Sequence, residues 1–210
     1  MCGRYGGPKE HEVFSGYLAV PPPFRNLKLQ ETEMLAARTV QVYARNQAGE
    51  HVLKEMRWGL IPPSHVLAPE LYDGNTFHAR LETVHEKPAY REAWLKKRRC
   101  LFPMAHFQQK VKAGSDLFGR TDKTVKLNIT RADDRPMGVA GIYSAIKTPA
   151  GLVLSVAMLT RAPGPRMLKI HDREPVVIEP EQFSAWLDGE DDIGLAEPWA
   201  DNAFDYKLVA

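Results

Sequence analysis

The residues at the amino terminus have the chemistry to capture an aldehyde. Cys2 directly follows Met1. If Met1 is removed, Cys2 carries a thiol and a free α-amine on adjacent carbons, and that amine has a pKa of about 8 against about 10.4 for a lysine. A 1,2-aminothiol condenses with an aldehyde to a Schiff base, which the thiol closes into a five-membered thiazolidine. The alternative is that Cys2 has no role at a frayed terminus.

A second group of polar residues lies in the segment 76–83. His78, Arg80 and Glu82 alternate along it, so in a strand their side chains would share one face. The pattern is typical either of a functional surface or of a solvated polar face. By the same spacing, Cys2 and Arg4 would share a face if the terminus is extended.

Composition excludes several protein classes. The 210 residues are 44% hydrophobic and 26% charged, with a net charge of +2, which allows a polyanionic partner without indicating one. Two cysteines, Cys2 and Cys100, do not make a disulfide framework, and no signal peptide is present, so a cytoplasmic location is expected. The longest apolar run, Gly151 to Leu159, is too short to span a bilayer. Cys100 lies among apolar residues and is expected to be an inert, buried thiol.

The elements that must position these residues are many short strands and a few helices, without regular βαβ alternation. This pattern predicts an α+β fold, with one mixed or antiparallel sheet that curls toward a barrel and is flanked by a few helices. We expect one domain over residues 1–189, with the tail 190–210 packing on it or extending it. Strands are predicted over Thr39–Ala44, His51–Trp58, Cys100–Val111, Leu117–Asp122, Thr124–Ile129, Gly138–Ile146, Leu152–Leu159 and Val176–Ile178, and helices over His11–Ala19, Lys87–Lys97 and Pro180–Leu187.

Several separated blocks of sequence, taken together with a cysteine at position two, resemble one family. The chain resembles the SOS-response-associated peptidase (SRAP) family, whose members are abasic-site DNA–protein crosslinkers. The blocks fall in family order and cover most of the first 180 residues. They are Met1-Cys2-Gly3-Arg4-Tyr5, Arg57-Trp58-Gly59-Leu60-Ile61-Pro62, Ala79-Arg80 with Glu82-Thr83, Glu86-Lys87-Pro88-Ala89-Tyr90-Arg91, Arg99-Cys100-Leu101-Phe102-Pro103, Ala140-Gly141, and Ile170-His171-Asp172-Arg173 with Pro175-Val176.

The resemblance implies a function in the response to DNA damage. Cys2, freed of Met1, would condense with the aldehyde of an abasic site in single-stranded DNA. Histidine transfers protons near neutral pH, so His171 is the expected partner of the amine. No cofactor, metal, membrane or obligate protein partner is implied, and the location would be the cytoplasm, or the nucleoid in a bacterium. The residues expected to contact DNA are Gly3, Arg4, Trp58 and Arg80.

The chain departs from the family pattern within the implied catalytic pocket. Gln109 occupies the position of a family glutamate, and an amide does not exchange protons usefully. His78 occupies the position of a family asparagine, and we hypothesise that it compensates for Gln109; the alternative is decay or retargeting of the site. His106, three residues from Gln109, would lie on the opposite face of a regular strand unless a bulge intervenes. Ser64 and Ser144 replace a usual aromatic and a usual acidic residue.

Three further functions remain open at this point. One is a non-covalent module for single-stranded or junction DNA with a degenerate catalytic site. Another is a Cys–His hydrolase, such as an autoprocessing peptidase, although the sequence offers no obvious third residue to orient the histidine. The last is a zinc site formed by Cys2, His78 and His171, which lacks any short ligand spacing.

Overall fold

A computed structural model describes residues 3–8, 14, 18, 33–35, 38–112, 124–190 and 194–209. Met1, Cys2, the predicted strand Leu117–Asp122 and most of the predicted helix His11–Ala19 lie outside these residues. None of the helices in the described part of the chain is long and apolar enough to cross a membrane.

The described residues form two sheets and three α-helices. The strands are β1 Arg4–Gly6, β2 Glu33–Leu35, β3 Thr39–Arg45, β4 His51–Trp58, β5 His78–Arg80, β6 Arg99–Met104, β7 His106–Lys112, β8 Thr124–Arg131, β9 Met137–Thr148, β10 Gly151–Arg161, β11 Glu174–Pro175, β12 Val177–Ile178 and β13 Phe204–Val209. The α-helices are α1 Pro88–Leu95, α2 Pro165–Leu168 and α3 Phe183–Asp188, and short 3-10 helices cover Pro63–His65, Pro69–Leu71, Leu81–Thr83, Pro180–Gln182 and Asp201–Ala203.

The larger sheet closes on itself. Its strand order is β11-β10-β4-β3-β6-β9-β12, with β5 beside β10, and a further pairing of β9 with β10 turns β10-β4-β3-β6-β9 into a ring. The β4 and β5 pairings with β10 are parallel, whereas the others are antiparallel. The predicted α+β fold with a curled, mixed sheet is therefore confirmed.

Two hairpins of this ring form where the sequence contains local turn signals. The β3–β4 turn uses Gly49 at φ +85°, and the β9–β10 turn uses Gly151 at φ +128°. Glycine adopts this left-handed region without the steric cost that a Cβ brings. Both strand pairs then continue in antiparallel register over seven residues or more.

The smaller sheet is antiparallel and positions the amino terminus. Its order is β13-β8-β7-β1-β2, so β1 lies between two strands. The predicted single strand Cys100–Val111 is wrong, because the chain bends at Ala105 and changes sheet. There the Ala105 amide donates to the Gly6 carbonyl at 2.8 Å, which joins the start of β7 to β1. The tail contributes β13, which pairs with β8 along its whole length.

The core lies inside the ring and beneath the smaller sheet. Tyr5 of β1 packs edge-on against Trp58 and Phe102, with ring centroids 5.5 and 6.2 Å apart. All three side chains are at most 2% exposed. Burying an aromatic side chain of this size contributes about 1.5–3 kcal/mol, so this cluster fixes β1 to the barrel.

Candidate functional site

The amino-terminal strand packs on a rigid core directly after Gly3. Gly3 immediately precedes β1 and is bonded covalently to Cys2, which itself lies outside the described residues. Gly6 ends the strand under the His106 ring; a Cβ there would lie 2.2 Å from His106 Cε1. The close fit of Gly6 and the burial of Tyr5 therefore fix where Gly3 lies.

A cavity of about 540 Å³ opens beside Gly3. Two of the predicted catalytic residues, Gln109 and His171, line it together with two predicted DNA contacts, Gly3 and Arg4. Gln109 and His171 are far in sequence from each other and from Gly3 and Arg4, so the fold brings them together. The remaining lining residues are Gln108, Lys110 and Lys126.

Gln109 is one of two buried glutamines that line this cavity. It lies on β7 opposite Leu127 and is 4% exposed. Its Nε2 is buried and has no hydrogen-bond partner among the described residues. A buried donor without an acceptor costs about 1–3 kcal/mol, so a ligand oxygen in the cavity is the natural partner for this amide. The β7–β8 register runs without a bulge from Phe107 to Lys112, so the strand itself does not bring His106 to the face of Gln109.

His171 has two polar neighbours at the same ring nitrogen. Its Nδ1 lies 3.1 Å from the Arg173 amide nitrogen and 2.7 Å from Asp172 Oδ1. The tautomer that accepts from Arg173 carries its proton on Nε2 and is a hydrogen-bond donor there, whereas the tautomer that donates to Asp172 leaves Nε2 as a base. Burial lowers the pKa of His171 below the usual value, against the opposing effect of the Asp172 carboxylate. The ring is therefore mainly neutral at pH 7. The contact of Asp172 with the His171 ring is one that the sequence alone did not reveal.

The segment that holds His171 is tied to the barrel by an ion pair. Arg173 donates to both carboxylate oxygens of Glu82, at 2.7 and 2.6 Å, and to the Thr160 carbonyl at 2.7 Å. This bidentate pair lowers the pKa of Glu82. The predicted common face of His78, Arg80 and Glu82 is wrong, because β5 ends at Arg80 and Glu82 lies in the 3-10 helix that follows.

Three other predicted site residues lie away from the cavity lining. His78 packs edge-on against Trp58, with ring centroids 5.7 Å apart. Trp58 is fully buried and donates from Nε1 to the Phe77 carbonyl at 2.9 Å, so it supports Tyr5 from behind. Arg80 is exposed at the end of β5. The structure thus brings Gln109 and His171 to one cavity and places His78 against the aromatic core beneath.

The cavity has a strongly positive wall. Lys110 and Lys126 lie directly opposite each other in the β7–β8 register, and Arg4 lies on the same cavity. Like charges directly opposite in a sheet repel each other, and no carboxylate is found among the described residues of the lining. An anion bound between these side chains would relieve the repulsion, as a phosphate oxygen does with lysine and arginine.

Comparison with known proteins places this site in a family. A family model described as SOS response associated peptidase (SRAP) matches residues 1–209. The chain belongs to the SRAP family. The resemblance drawn from the separated sequence blocks is therefore confirmed.

Relatives of this SRAP chain include two proteins of Bacillus subtilis (strain 168). The abasic site processing protein YoqW is 32% identical over 145 residues, which cover 68% of this chain and 60% of YoqW. The matched segment thus spans less than two thirds of that relative. The abasic site processing protein YoaM is 31% identical over 190 residues, covering 89% of this chain and 79% of YoaM. An X-ray crystal structure of a Bordetella bronchiseptica protein superposes with a TM-score of 0.79 at 25% identity, over all of both chains.

One feature of the SRAP site could not be predicted from the sequence. Lys110 and Lys126 face each other only because β7 and β8 pair in this register, and strand register has no local sequence signal across an intervening loop. Within the described residues, no group of three or more His, Cys, Asp or Glu side chains could hold a metal ion.

Proposed function

We propose that this protein captures abasic sites in single-stranded DNA through a covalent bond to Cys2, once Met1 has been removed. The observation that supports this most is the cavity beside Gly3, which gathers Arg4, Gln109 and His171 around the residue bonded to Cys2. The names of the relatives YoqW and YoaM support abasic sites as the substrate.

The proposed reaction is a condensation that releases one water. The neutral α-amine of Cys2 adds to the aldehyde carbon of the ring-opened sugar, and the carbinolamine loses water to give the imine. The Cys2 sulfur then adds to the imine carbon, the thiol proton passes to the nitrogen, and the thiazolidine closes. His171 is suited to these transfers because its neutral imidazole can accept a proton and the imidazolium that results can return it. The Arg4, Lys110 and Lys126 cations would hold the flanking phosphates without reading base sequence.

The side chain of Gln109 determines the rate that we expect for crosslink formation and reversal. Its amide can donate to a sugar oxygen but cannot exchange a proton, so we propose slow crosslink formation and slow reversal. That His78 substitutes for the missing acid remains a prediction; its ring packs on Trp58 and is not among the residues that line the cavity. Gln109→Glu is the direct test of the first idea, and His78→Asn of the second.

The central experiment incubates purified protein, with a Cys2 amino terminus confirmed by mass spectrometry, with a uracil-excised single-stranded oligonucleotide. We expect an adduct that survives heat and denaturant and is absent in Cys2→Ser. Cys100→Ala is the matched control, because Cys100 is fully buried and burial raises the pKa of its thiol, so the adduct should persist. No adduct from wild-type protein with a free Cys2 amine would overturn the proposal and favour a non-covalent DNA-binding module.

A second candidate activity is supported by the contact between His171 and Asp172. Asp172 Oδ1 lies 2.7 Å from His171 Nδ1, so Cys2, His171 and Asp172 have the residue types of a nucleophile, base and orienting group. In autoprocessing, Cys2 Sγ would attack the Met1 carbonyl carbon, the amide bond would break as its nitrogen takes a proton, and water would hydrolyse the resulting thioester. Protein that retains Met1 should then lose methionine on incubation, as followed by mass spectrometry. Equal loss in His171→Ala would rule this activity out.

A further inference from the structure

A second concave surface lies on the larger sheet, away from the cavity beside Gly3. Two adjoining cavities of about 510 and 320 Å³ form it. Neither shares a lining residue with the cavity beside Gly3. We call this surface the distal groove; the residues that line both of its halves are Arg45, Asn46, Gln47, Lys96, Arg98 and Tyr143.

The distal groove is strongly basic. Its cations form weak surface pairs: Lys96 lies 2.7 Å and Arg98 3.8 Å from Glu92, and Arg45 lies 3.5 Å from Asp188. Exposed pairs of this kind contribute little, so phosphate groups can compete for these cations. Asp188 is the acidic residue in the described lining, whereas the basic residues there are Arg45, Lys54, Lys96, Lys97, Arg98 and Arg99.

The basic run at the end of α1 is held in one conformation. Lys97 has φ +51°, a left-handed conformation that usually belongs to glycine at a helix end. The Lys97 and Arg98 amides donate to the carbonyls of Trp94 and Ala93, each at 3.0 Å, and Lys97 Nζ donates to Gly189 at 2.7 Å. Lys97 therefore adopts a backbone conformation that glycine would adopt with less strain. Because the run is ordered in advance, a polyanion loses less conformational entropy when it binds.

The lining of the distal groove also has a surface on which a nucleobase can stack. Arg99 is fixed beneath the groove, its guanidinium carbon 3.7 Å from the centroid of the Trp94 ring. Tyr143 is half-buried and lines both halves of the groove, and the exposed side chain of Leu152 lines one of them. Alternating cations and aromatic or apolar surface are typical of sites for single-stranded nucleic acid.

We propose that the distal groove binds the phosphate backbone of single-stranded DNA, so that the protein contacts DNA on two separate surfaces. The choice of DNA as the polyanion rests on the proposed function. Arginine side chains such as Arg45 and Arg98 match phosphate oxygens with two donors each. β6 runs from Arg99 at the groove to Met104, about 17 Å away at 3.3 Å per residue, and the next residue, Ala105, is hydrogen-bonded to Gly6 at the end of β1. A DNA strand that is bound at both surfaces must therefore extend several nucleotides beyond the lesion.

The test combines Arg45→Glu with Arg98→Glu in the full chain and measures binding of a lesion-free 30-nucleotide oligo-dT by fluorescence anisotropy. We expect at least about a tenfold loss of affinity at 0.1 M salt, and a slope of log K against log salt that is shallower by about 1.4, for two lost phosphate contacts. The covalent adduct with a five-nucleotide strand bearing a central abasic site should form at the wild-type rate, which also reports a folded protein.

The matched control reverses the same number of charges with Lys87→Glu, just before α1, and Arg91→Glu, in its first half, both exposed and outside the linings of these three cavities. Its affinity for the 30-mer should stay within twofold of wild type. Equal losses in both double variants, or no loss in the groove variant, would overturn the proposal, as would equally strong competition by poly-glutamate. Absence of any adduct together with a selective groove effect would refute covalent capture alone, so the two proposals fail separately.

Discussion

Gln109 is the residue where a change of one side-chain atom should alter the rate of capture most. Gln109→Glu replaces the amide nitrogen by an oxygen that can exchange a proton within the cavity that also contains His171. General acid–base groups contribute about 10²–10⁴-fold to a rate, which corresponds to about 2.7–5.5 kcal/mol of activation free energy. We expect crosslink formation and its reversal both to accelerate within this range.

A different substitution at the same position, Gln109→Met, should raise the stability of the fold and slow capture. Gln109 Nε2 is buried without a hydrogen-bond partner among the described residues, and such a donor costs about 1–3 kcal/mol. Gln109→Met keeps a similar volume and removes the donor, so the free energy of unfolding should rise by about 1–2 kcal/mol. For a chain of this size the melting temperature should rise by about 2–8 °C, while capture becomes slower than in wild type.

The assay follows adduct formation over time on denaturing gels under single-turnover conditions, and urea unfolding by intrinsic fluorescence. Gln108→Glu is the control, since Gln108 lines the same cavity from the opposite face of β7. Equal rates for wild type and Gln109→Glu, or equal acceleration by Gln108→Glu, would show that the position of the proton-exchanging group does not matter and would refute the reasoning.

Three other predictions concern the frame of the site. Glu174→Gln should lower the free energy of unfolding by about 3–5 kcal/mol in urea denaturation, because Arg161, 2.9 Å away and equally buried, loses its counter-charge; a loss below about 1 kcal/mol would contradict this. Arg173 lowers the pKa of Glu82, so the stability that this carboxylate adds is complete above about pH 5 and declines as pH falls through its lowered pKa. The free energy of unfolding of Glu82→Gln should therefore differ from that of wild type at pH 7, and the two values should converge in acid. A difference that stays constant with pH would count against the ion pair. Gly141→Ala places a methyl group 2.9 Å from a backbone carbonyl oxygen of the neighbouring strand, so we expect a lower melting temperature by differential scanning calorimetry. An unchanged melting temperature would mean that the barrel strands move apart enough to accommodate the methyl group.

The parts of the fold that could be predicted have local signals. The turns at Gly49 and Gly151 mark their hairpins because left-handed backbone favours glycine, and the helix that ends at Gly189 follows the same rule. The division of Cys100–Val111 between two sheets could not be predicted. Ala105 bends because its amide pairs with Gly6, a partner about one hundred residues away, and nothing nearby in the sequence records that contact.

The candidate site was predictable only in part, for a related reason. Cysteine at position two has distinctive chemistry on its own, and the family resemblance indicated Gln109 and His171. The facing lysines, Lys110 and Lys126, depend on strand register, and the orienting contact of Asp172 depends on how the chain turns after α2. Such features follow from tertiary packing rather than from residue type.

The place of β1 between β2 and β7 has a mechanical consequence for a strand captured at Cys2. Tension on the DNA would enter the protein two residues from Arg4 and run along β1, loading the hydrogen bonds of both neighbouring ladders in parallel. The Tyr5 ring, locked against Trp58 and Phe102, would act as a stop against withdrawal of the strand. The covalent adduct would thus be anchored to the barrel core through β1. An enzyme that pulls on the DNA would have to break the β1–β2 and β1–β7 hydrogen bonds before it could detach the terminus.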